Sequence, residues 1–347
     1  MRNHFAQIRR PAQNHQNCGE VSDVLAHLDR LFADGPIPFE RFMESALYDP
    51  EFGYYTANIA TVGGRSADFA TTATLSKKLG KAIAGWIQQQ FDECNFRTVI
   101  EVGGGDGSLA KQVLKSVGFF LRRGIDYRIV EISPILQATQ KKLLGNKASW
   151  FSTIDEAISD IDDAIVFSNE LVDAFPARWL RWNEGWEEIY VNFDRKNGLS
   201  EQFRLVSGVQ VPESLERTNQ RIEVHDSYRQ WIRDWMPRLT VASVLTIDYG
   251  GTAKEIYERR LAGTMRGYFK HERIEAGGIY SRFGKQDLTA DVNFDDLKKW
   301  GIEHDFNPTR YETQGQFIER MGIRNDPLSE ANEAFQVLEQ VKRSDNI

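Results

Sequence analysis

The sequence predicts an α/β fold built on one doubly wound, seven-stranded sheet, with helices ahead of it and an inserted hairpin and helical region. Three observations predict it. Short apolar runs rich in β-branched residues alternate with helical patterns from residue 98 onward, as parallel βαβ units do. Three glycines at alternate positions, 103, 105 and 107, follow the first run and allow a sharp turn beside a ligand. Acids stand at the ends of the first two runs, Glu101 and Glu131, where a parallel sheet presents side chains to its ligand.

Residues 1–20 read as a disordered start. Met1 to Gly19 carry Arg2, Arg9, Arg10 and two histidines but no acid and little apolar periodicity. A mitochondrial presequence shares that bias and is the alternative; no secretory signal pattern is present. Residues 21–92 read as a lead-in: a helix with Val24, Leu25, Leu28, Leu31 and Phe32 on one face, stopped at Asp34-Gly35, then a helix begun by Pro36 and Pro38 and running through Leu47. An aromatic turn, Tyr48 to Tyr55, and a loop from Gly63 to Thr72 follow; the loop, with Asp68, is a candidate cover for the bound ligand. A clear helix comes next, with Leu75, Leu79, Ala82, Ile83, Trp86 and Ile87 on one face.

The main domain is expected over 93–347. Its pattern is a strand Thr98–Val102, a helix to about Leu121, a strand to Ile132, a helix Pro134–Leu144, a short strand Ala148–Phe151 and a strand Ala164–Ser168. An insertion of about 177–238 begins as a hairpin, with Gly185 supplying the turn, and continues as a polar, helix-compatible stretch from Pro212 to Trp235. Val241–Asp248 is the fifth strand, and Thr264–Phe269 with Ile302–Phe306 complete seven.

The glycine turn is Rossmann-like but not a dinucleotide fingerprint, because Ser108 stands where the sixth-position glycine belongs. Glu101 would face a pyrophosphate badly and an ammonium group well, and Glu131 is placed to bond ribose hydroxyls. A ligand with a ribose, a cationic amino group and no phosphate fits both acids: S-adenosylmethionine. Glu101, Gly103, Gly105, Gly107 and Glu131 are therefore the candidate cofactor contacts, with Asp68 from the cover loop.

A second chemical stretch, Ser168-Asn169-Glu170-Leu-Val-Asp173-Ala-Phe-Pro176, directly follows the fourth strand, at the same edge of the sheet. Glu170 and Asp173 would face the transferred methyl group, though Asp173 as a helix cap and Asn169 as a turn residue is the plainer alternative. Methyl transfer needs an oriented nucleophile relieved of its proton, and paired carboxylates can do both.

Composition bounds the rest. The chain has 347 residues, 41% hydrophobic, and a net charge of −7 from 43 basic and 50 acidic residues, without a basic block to follow a nucleic-acid backbone. No apolar run is long enough for a membrane span, and the mean hydropathy is −0.47. Cys18 and Cys94 lack metal-site spacing, so no metal is expected, and the compartment is read as reducing: cytoplasmic, with the mitochondrial matrix as alternative.

The blocks Phe52-Gly-Tyr-Tyr55, Asp68-Phe69, Glu101 to Gly107, Asn169-Glu170 with Asp173-Ala174 and Pro176, Asp248-Tyr-Gly-Gly251 and Gln286 to Val292 occur together and in order. From about Pro36 to Ile323 the chain resembles the MidA-like family of class I S-adenosylmethionine-dependent methyltransferases. The resemblance implies the class I methyltransferase fold, S-adenosylmethionine as donor and a protein arginine as acceptor, with Gly103, Gly105 and Glu131 on the cofactor and Asn169, Glu170 and Asp173 at methyl transfer. It also places His271 in an Arg-x-Tyr-x-x-His block, either as a catalytic group or as a hydrogen-bonded structural histidine. Ala67, Ala73 and Thr74 depart from the family's cover loop, leaving fewer acids there. A small-molecule methyltransferase and a non-catalytic assembly protein that keeps the fold are the competing readings; a nicotinamide oxidoreductase is opposed by the glycine spacing. Oligomeric state is not legible.

Overall fold

The computed structural model describes residues 16–59, 77–94, 96–118, 124–209, 211, 213–270, 272–324 and 331–343. Its central sheet contains seven strands, numbered here in chain order: β1 Thr98–Val102, β2 Asp126–Val130, β3 Ser149–Phe151, β4 Asp163–Asn169, β5 Val241–Gly251, β6 Asn307–Thr313 and β7 Phe335–Lys342. They lie in the order β3-β2-β1-β4-β5-β7-β6, with β7 antiparallel to both its neighbours and β1 to β5 mutually parallel. An eighth strand of two residues, Val292–Asn293, pairs in parallel with β5 at its carboxyl end.

β1 is buried along its whole length, as a central strand covered on both faces must be, which is why it reads as an unbroken apolar run. One face packs on helices Lys77–Cys94, Ser108–Ser116 and Gln314–Arg320 through Ile83, Trp86, Val113 and Phe317. The other packs on helices Asp226–Trp235 and Phe294–Ile302 through Ile232, Trp235, Leu297 and Trp300. Winding reverses between β1 and β4, so a crevice opens beyond their carboxyl ends.

The lead-in helix Phe39–Tyr48 shares a third core with the inserted region. Phe39, Phe42 and Met43 pack against Trp179, Ile189, Val191 and Leu288. The hairpin Arg178–Trp182 and Trp186–Asp194 grows into a five-stranded antiparallel sheet with Gly198–Leu205, Arg221–Val224 and the two-residue strand Ile37–Pro38.

Several elements differ from expectation. Gly185 is not the left-handed residue of the hairpin turn; Glu184 is, at φ 59°, enclosed by a hydrogen bond from the Asn183 amide to the Gly185 carbonyl of 2.9 Å. The helix after the glycines ends at Ser116, where Val117 turns extended, and β2 ends at Val130 rather than Ile132. The stretch from 212 to 235 contains a strand before its helix. Thr264–Phe269 supplies no core strand: Arg266–Phe269 is the middle of a separate three-stranded antiparallel sheet with Glu272–Ile274 and Asp287–Thr289. Ile302–Phe306 is the end of a helix and a turn through Asp305 at φ 69°.

The sixth and seventh strands escape a hydrophobicity reading for physical reasons. β6 is a polar, half-exposed edge that carries Pro308 where no ladder bond is required. β7 buries Glu339 and Gln340, whose polar ends are satisfied: Gln340 donates to the Phe306 carbonyl at 3.2 Å, and Arg320 donates to Glu339.

Candidate active site

β1 delivers Glu101 to the sheet edge in a nearly solvent-free position, 1% exposed. The Tyr127 hydroxyl donates to its Oε2 at 2.6 Å, whereas Oε1 is buried with no partner among the described residues. Burial pushes this carboxyl up to about 8, against the lowering effect of Tyr127. The chain then turns through Gly103, Gly105 and Gly107, at φ 74°, 54° and 80°. At Gly103 a Cβ would stand 2.9 Å from Leu171 Cδ1, so the glycine serves both the left-handed backbone and the close approach of the turn after β4.

Glu131, just beyond β2, accepts from the Ser133 amide at 2.9 Å and from Gln140 Nε2 at 3.1 Å. The same Gln140 amide donates to the Gly105 carbonyl at 2.8 Å, while its oxygen accepts from the Trp150 indole at 3.0 Å. One glutamine thus ties the glycine turn to the second acid. Burial raises Glu131 to about 6, with the Ser133 and Gln140 bonds opposing.

β4 ends in Asn169, and Glu170 follows at φ 54°, left-handed for a residue with a Cβ. Such a conformation persists only where the surroundings enforce it. Asp248 on β5 does so: its Oδ2 accepts from the amides of Leu171, Val172 and Asp173 at 3.1, 2.9 and 3.3 Å, and its Oδ1 from the Tyr249 amide at 2.9 Å. The Glu170 amide donates to the Ile247 carbonyl at 2.9 Å. The Asn169 amide donates to Glu170 Oε1 at 3.0 Å, which orients that carboxylate. Asp173, 5% exposed, accepts through Oδ2 from Thr289 at 2.8 Å and from the Tyr249 hydroxyl; burial raises it above the usual carboxylate range.

These groups line one cavity of about 1070 Å³. Glu101, Gly103, Gly105 and Glu131 line it together with Asn169, Glu170 and Asp173, and Tyr48, Tyr55, Asp287 and Arg266 complete the lining named here. Gly107 stands apart from the cavity as the cap residue of helix Ser108–Ser116. His271, and the cover-loop residues Ala67, Asp68, Ala73 and Thr74, lie outside the described residues.

Among the described residues, four buried oxygens of cavity-lining side chains have no partner: Glu101 Oε1, Ser108 Oγ, Asn169 Oδ1 and Asp173 Oδ1. Glu101 Oε1, Asn169 Oδ1 and Asp173 Oδ1 are oxygens that can accept, and the Ser108 hydroxyl can accept or donate, so the complement they suit is a ligand rich in hydrogen-bond donors. An ammonium group on the Glu101 side meets that requirement, and the glycine turn admits close approach, so the residues present fit S-adenosylmethionine.

Over residues 82–311 the chain matches the family model of S-adenosyl-L-methionine-dependent methyltransferases, the MidA-like group. The protein belongs to this family. It is 26% identical to a zebrafish protein, Danio rerio protein arginine methyltransferase NDUFAF7, mitochondrial, over 86% of this chain and 76% of that one. It is 24% identical to the Caenorhabditis elegans NDUFAF7 homologue, likewise named a mitochondrial protein arginine methyltransferase, over 77% and 68% respectively. Its fold matches a COG1565-superfamily protein from Burkholderia thailandensis, crystallised with S-adenosyl-homocysteine, at a TM-score of 0.82 and 26% identity, covering 96% and 95% of the two chains. The protein is an S-adenosylmethionine-dependent methyltransferase with the α/β fold of that class.

The structure brings the expected acids Glu101, Glu131, Glu170 and Asp173 together around one cavity, and the residues that hold them were not foreseen. Gln140 gave no signal, since a helical glutamine is common. Tyr127 lay within the expected second strand, and Asp248 and Asp287 within the family blocks, without a role for any of them.

Proposed function

We propose that the enzyme transfers the methyl group of S-adenosylmethionine to a guanidinium nitrogen of an arginine in a protein. The observation that carries this reading is the set of unsatisfied acceptor oxygens in one cavity wall system, on Asn169 and Asp173 as well as on Glu101, with Glu170 held beside them. The names of the zebrafish and nematode relatives support the acceptor, and their mitochondrial designation favours the matrix over the cytoplasm as compartment.

In this reading Glu101 holds the amino group of the cofactor, Glu131 its ribose hydroxyls, and the turn at Gly103 and Gly105 its near backbone contacts, with Asp68 and His271 as candidate additions. Bound S-adenosylmethionine supplies an electrophilic methyl group on a sulfonium. The protein's task is the nucleophile. A free guanidinium has a pKa of about 13.8, so deprotonating it outright at pH 7 costs roughly 9 kcal/mol at 1.36 kcal/mol per unit. Glu170 and Asp173 offset that cost by holding the cation in line and accepting its proton as the carbon–nitrogen bond forms. Asn169 keeps Glu170 aimed, and Asp248 keeps the turn in place.

The test is incubation with methyl-labelled S-adenosylmethionine and arginine-bearing peptides, beside controls with lysine in place of arginine, followed by hydrolysis and amino-acid analysis. Label in methylarginine is expected. Label confined to another residue or to a small molecule would remove the assignment.

A further inference from the structure

The acceptor side of the cavity contains a pair of carboxylates, Asp173 and Asp287, that make no direct ion pair among the described residues. They are 5% and 3% exposed, and both line the cavity. Arg266, a guanidinium lining the same cavity, donates to Asp291 at 2.7 Å and to the Thr264 carbonyl at 3.0 Å and acts on the two acids only through space. Each carboxylate already spends one oxygen on tyrosine: Tyr249 donates to Asp173 Oδ2, and Tyr55 donates to Asp287 Oδ1 at 2.9 Å. Asp173 Oδ1 sits buried in the wall with no donor among the described residues.

The two acids are locked to each other across the chain. Thr289, two residues from Asp287 on the same strand, donates to Asp173, and the Ala290 amide donates to the Asp173 carbonyl at 3.2 Å. Beside them the rings of Tyr48 and Tyr55 stack, 5.7 Å apart and tilted by 20°. Tyr48 is fixed by its own donation to the Ala174 carbonyl at 2.9 Å. Aromatic faces and buried carboxylates both attract cations, and a flat wall beside two separated acceptors suits a planar one.

We propose that Asp173, Asp287 and the Tyr48–Tyr55 pair form a clamp for a planar cation, which admits an arginine guanidinium and rejects a lysine ammonium. The clamp rests on the arginine reading given under Proposed function and adds the residues that would select that side chain. A guanidinium presents five N–H donors in a fixed fork and is suited to bond the open Asp173 Oδ1 and the Asp287 carboxylate together while lying against the rings; an ammonium is a compact, strongly hydrated point charge without that span. Burial and the neighbouring Asp173 push the ligand-free Asp287 up to about 8, opposed by Tyr55, Arg266 and the Leu288 amide. An entering cation therefore displaces a proton.

The experiment is calorimetric titration of the full-length enzyme, saturated with S-adenosyl-homocysteine, with N-acetyl-arginine methylamide and N-acetyl-lysine methylamide, in two buffers of different ionisation enthalpy. The arginine compound should bind at least tenfold more tightly than the lysine compound and release protons at pH 7. Asp287→Asn and, separately, Tyr48→Leu should each weaken the arginine compound about tenfold and abolish or alter its proton release, while S-adenosyl-homocysteine affinity stays within twofold. Equal affinity for the two amides, or unchanged arginine binding in both variants, overturns the clamp. If those variants still make methylarginine at the wild-type KM, the clamp fails and the arginine acceptor stands. If the wild type takes the lysine compound and not the arginine one, both fail.

Discussion

At the scale of single residues, Glu170 is the side chain on which the proposed chemistry depends most directly. Its position after a parallel strand was legible from the alternation of strands and helices, but its left-handed backbone at φ 54° was not, because nothing local favours that conformation for glutamate. Replacing Glu170 by Gln preserves shape and removes the charge. With arginine peptide as acceptor, kcat should fall by about 10²–10⁴-fold, the usual reach of a positioned acid or base, with cofactor affinity nearly unchanged. Steady-state kinetics beside a cofactor titration measures both, and turnover within a few-fold of wild type would exclude the carboxylate mechanism. Glu101 teaches the complementary lesson: its place was legible, yet only the structure shows Tyr127 occupying one of its oxygens and leaving the other in need of a donor.

Among elements, the turn after β4 is held from outside itself. Its three amides at 171–173 converge on Asp248, a fully buried carboxyl on the neighbouring strand, raised well above its ordinary range by burial and by Asp173 and Glu170 nearby. Truncating Asp248 to Ala strands those donors, and at about 1–3 kcal/mol for a buried unsatisfied group the loss should reach about 3 kcal/mol or more. Denaturant unfolding should show it as a lower midpoint, with Asp248→Asn intermediate. A midpoint unchanged in the alanine variant would mean that the turn is held by something else. The strand pattern itself divides the same way. β1, β2 and β4 are buried runs, visible from composition, whereas β6 is a polar edge and β7 an antiparallel strand with buried Glu339 and Gln340, whose sense depends on pairing partners far along the chain.

Considered as a whole molecule, the enzyme concentrates buried acids around one cavity. Glu101 and Asp287 are raised to about 8 and Glu131 to about 6, burial being the leading cause each time. Each therefore binds its proton more tightly when folded than in the unfolded chain, where carboxyls titrate near about 4. Between those values the native state holds the extra protons, so stability should fall as pH rises from 5 to about 8, and these groups contribute nothing once both states are protonated. Thermal unfolding of the ligand-free enzyme across that range should show Tm declining, with Glu101→Gln flattening the slope. A Tm that rises from pH 6 to 8 would contradict the assignment.

The amino-acid sequence by itself determined the glycine turn, the acids that end the first two strands, the alternation that makes a parallel sheet, and the family to which these blocks belong. Each strand, turn and block is written in residues close together along the chain, where backbone freedom and apolar periodicity act directly, and the order of the blocks adds the family. Tertiary structure alone decided which distant groups meet: Gln140 on Gly105 and Glu131, Asp248 on the turn at 171–173, and Asp287 with Tyr48 and Tyr55 opposite Asp173. Those meetings are set by how three cores pack together, and no local pattern encodes the outcome, because the energy that selects it is shared among residues hundreds of positions apart in some cases and is gained only when the whole fold closes.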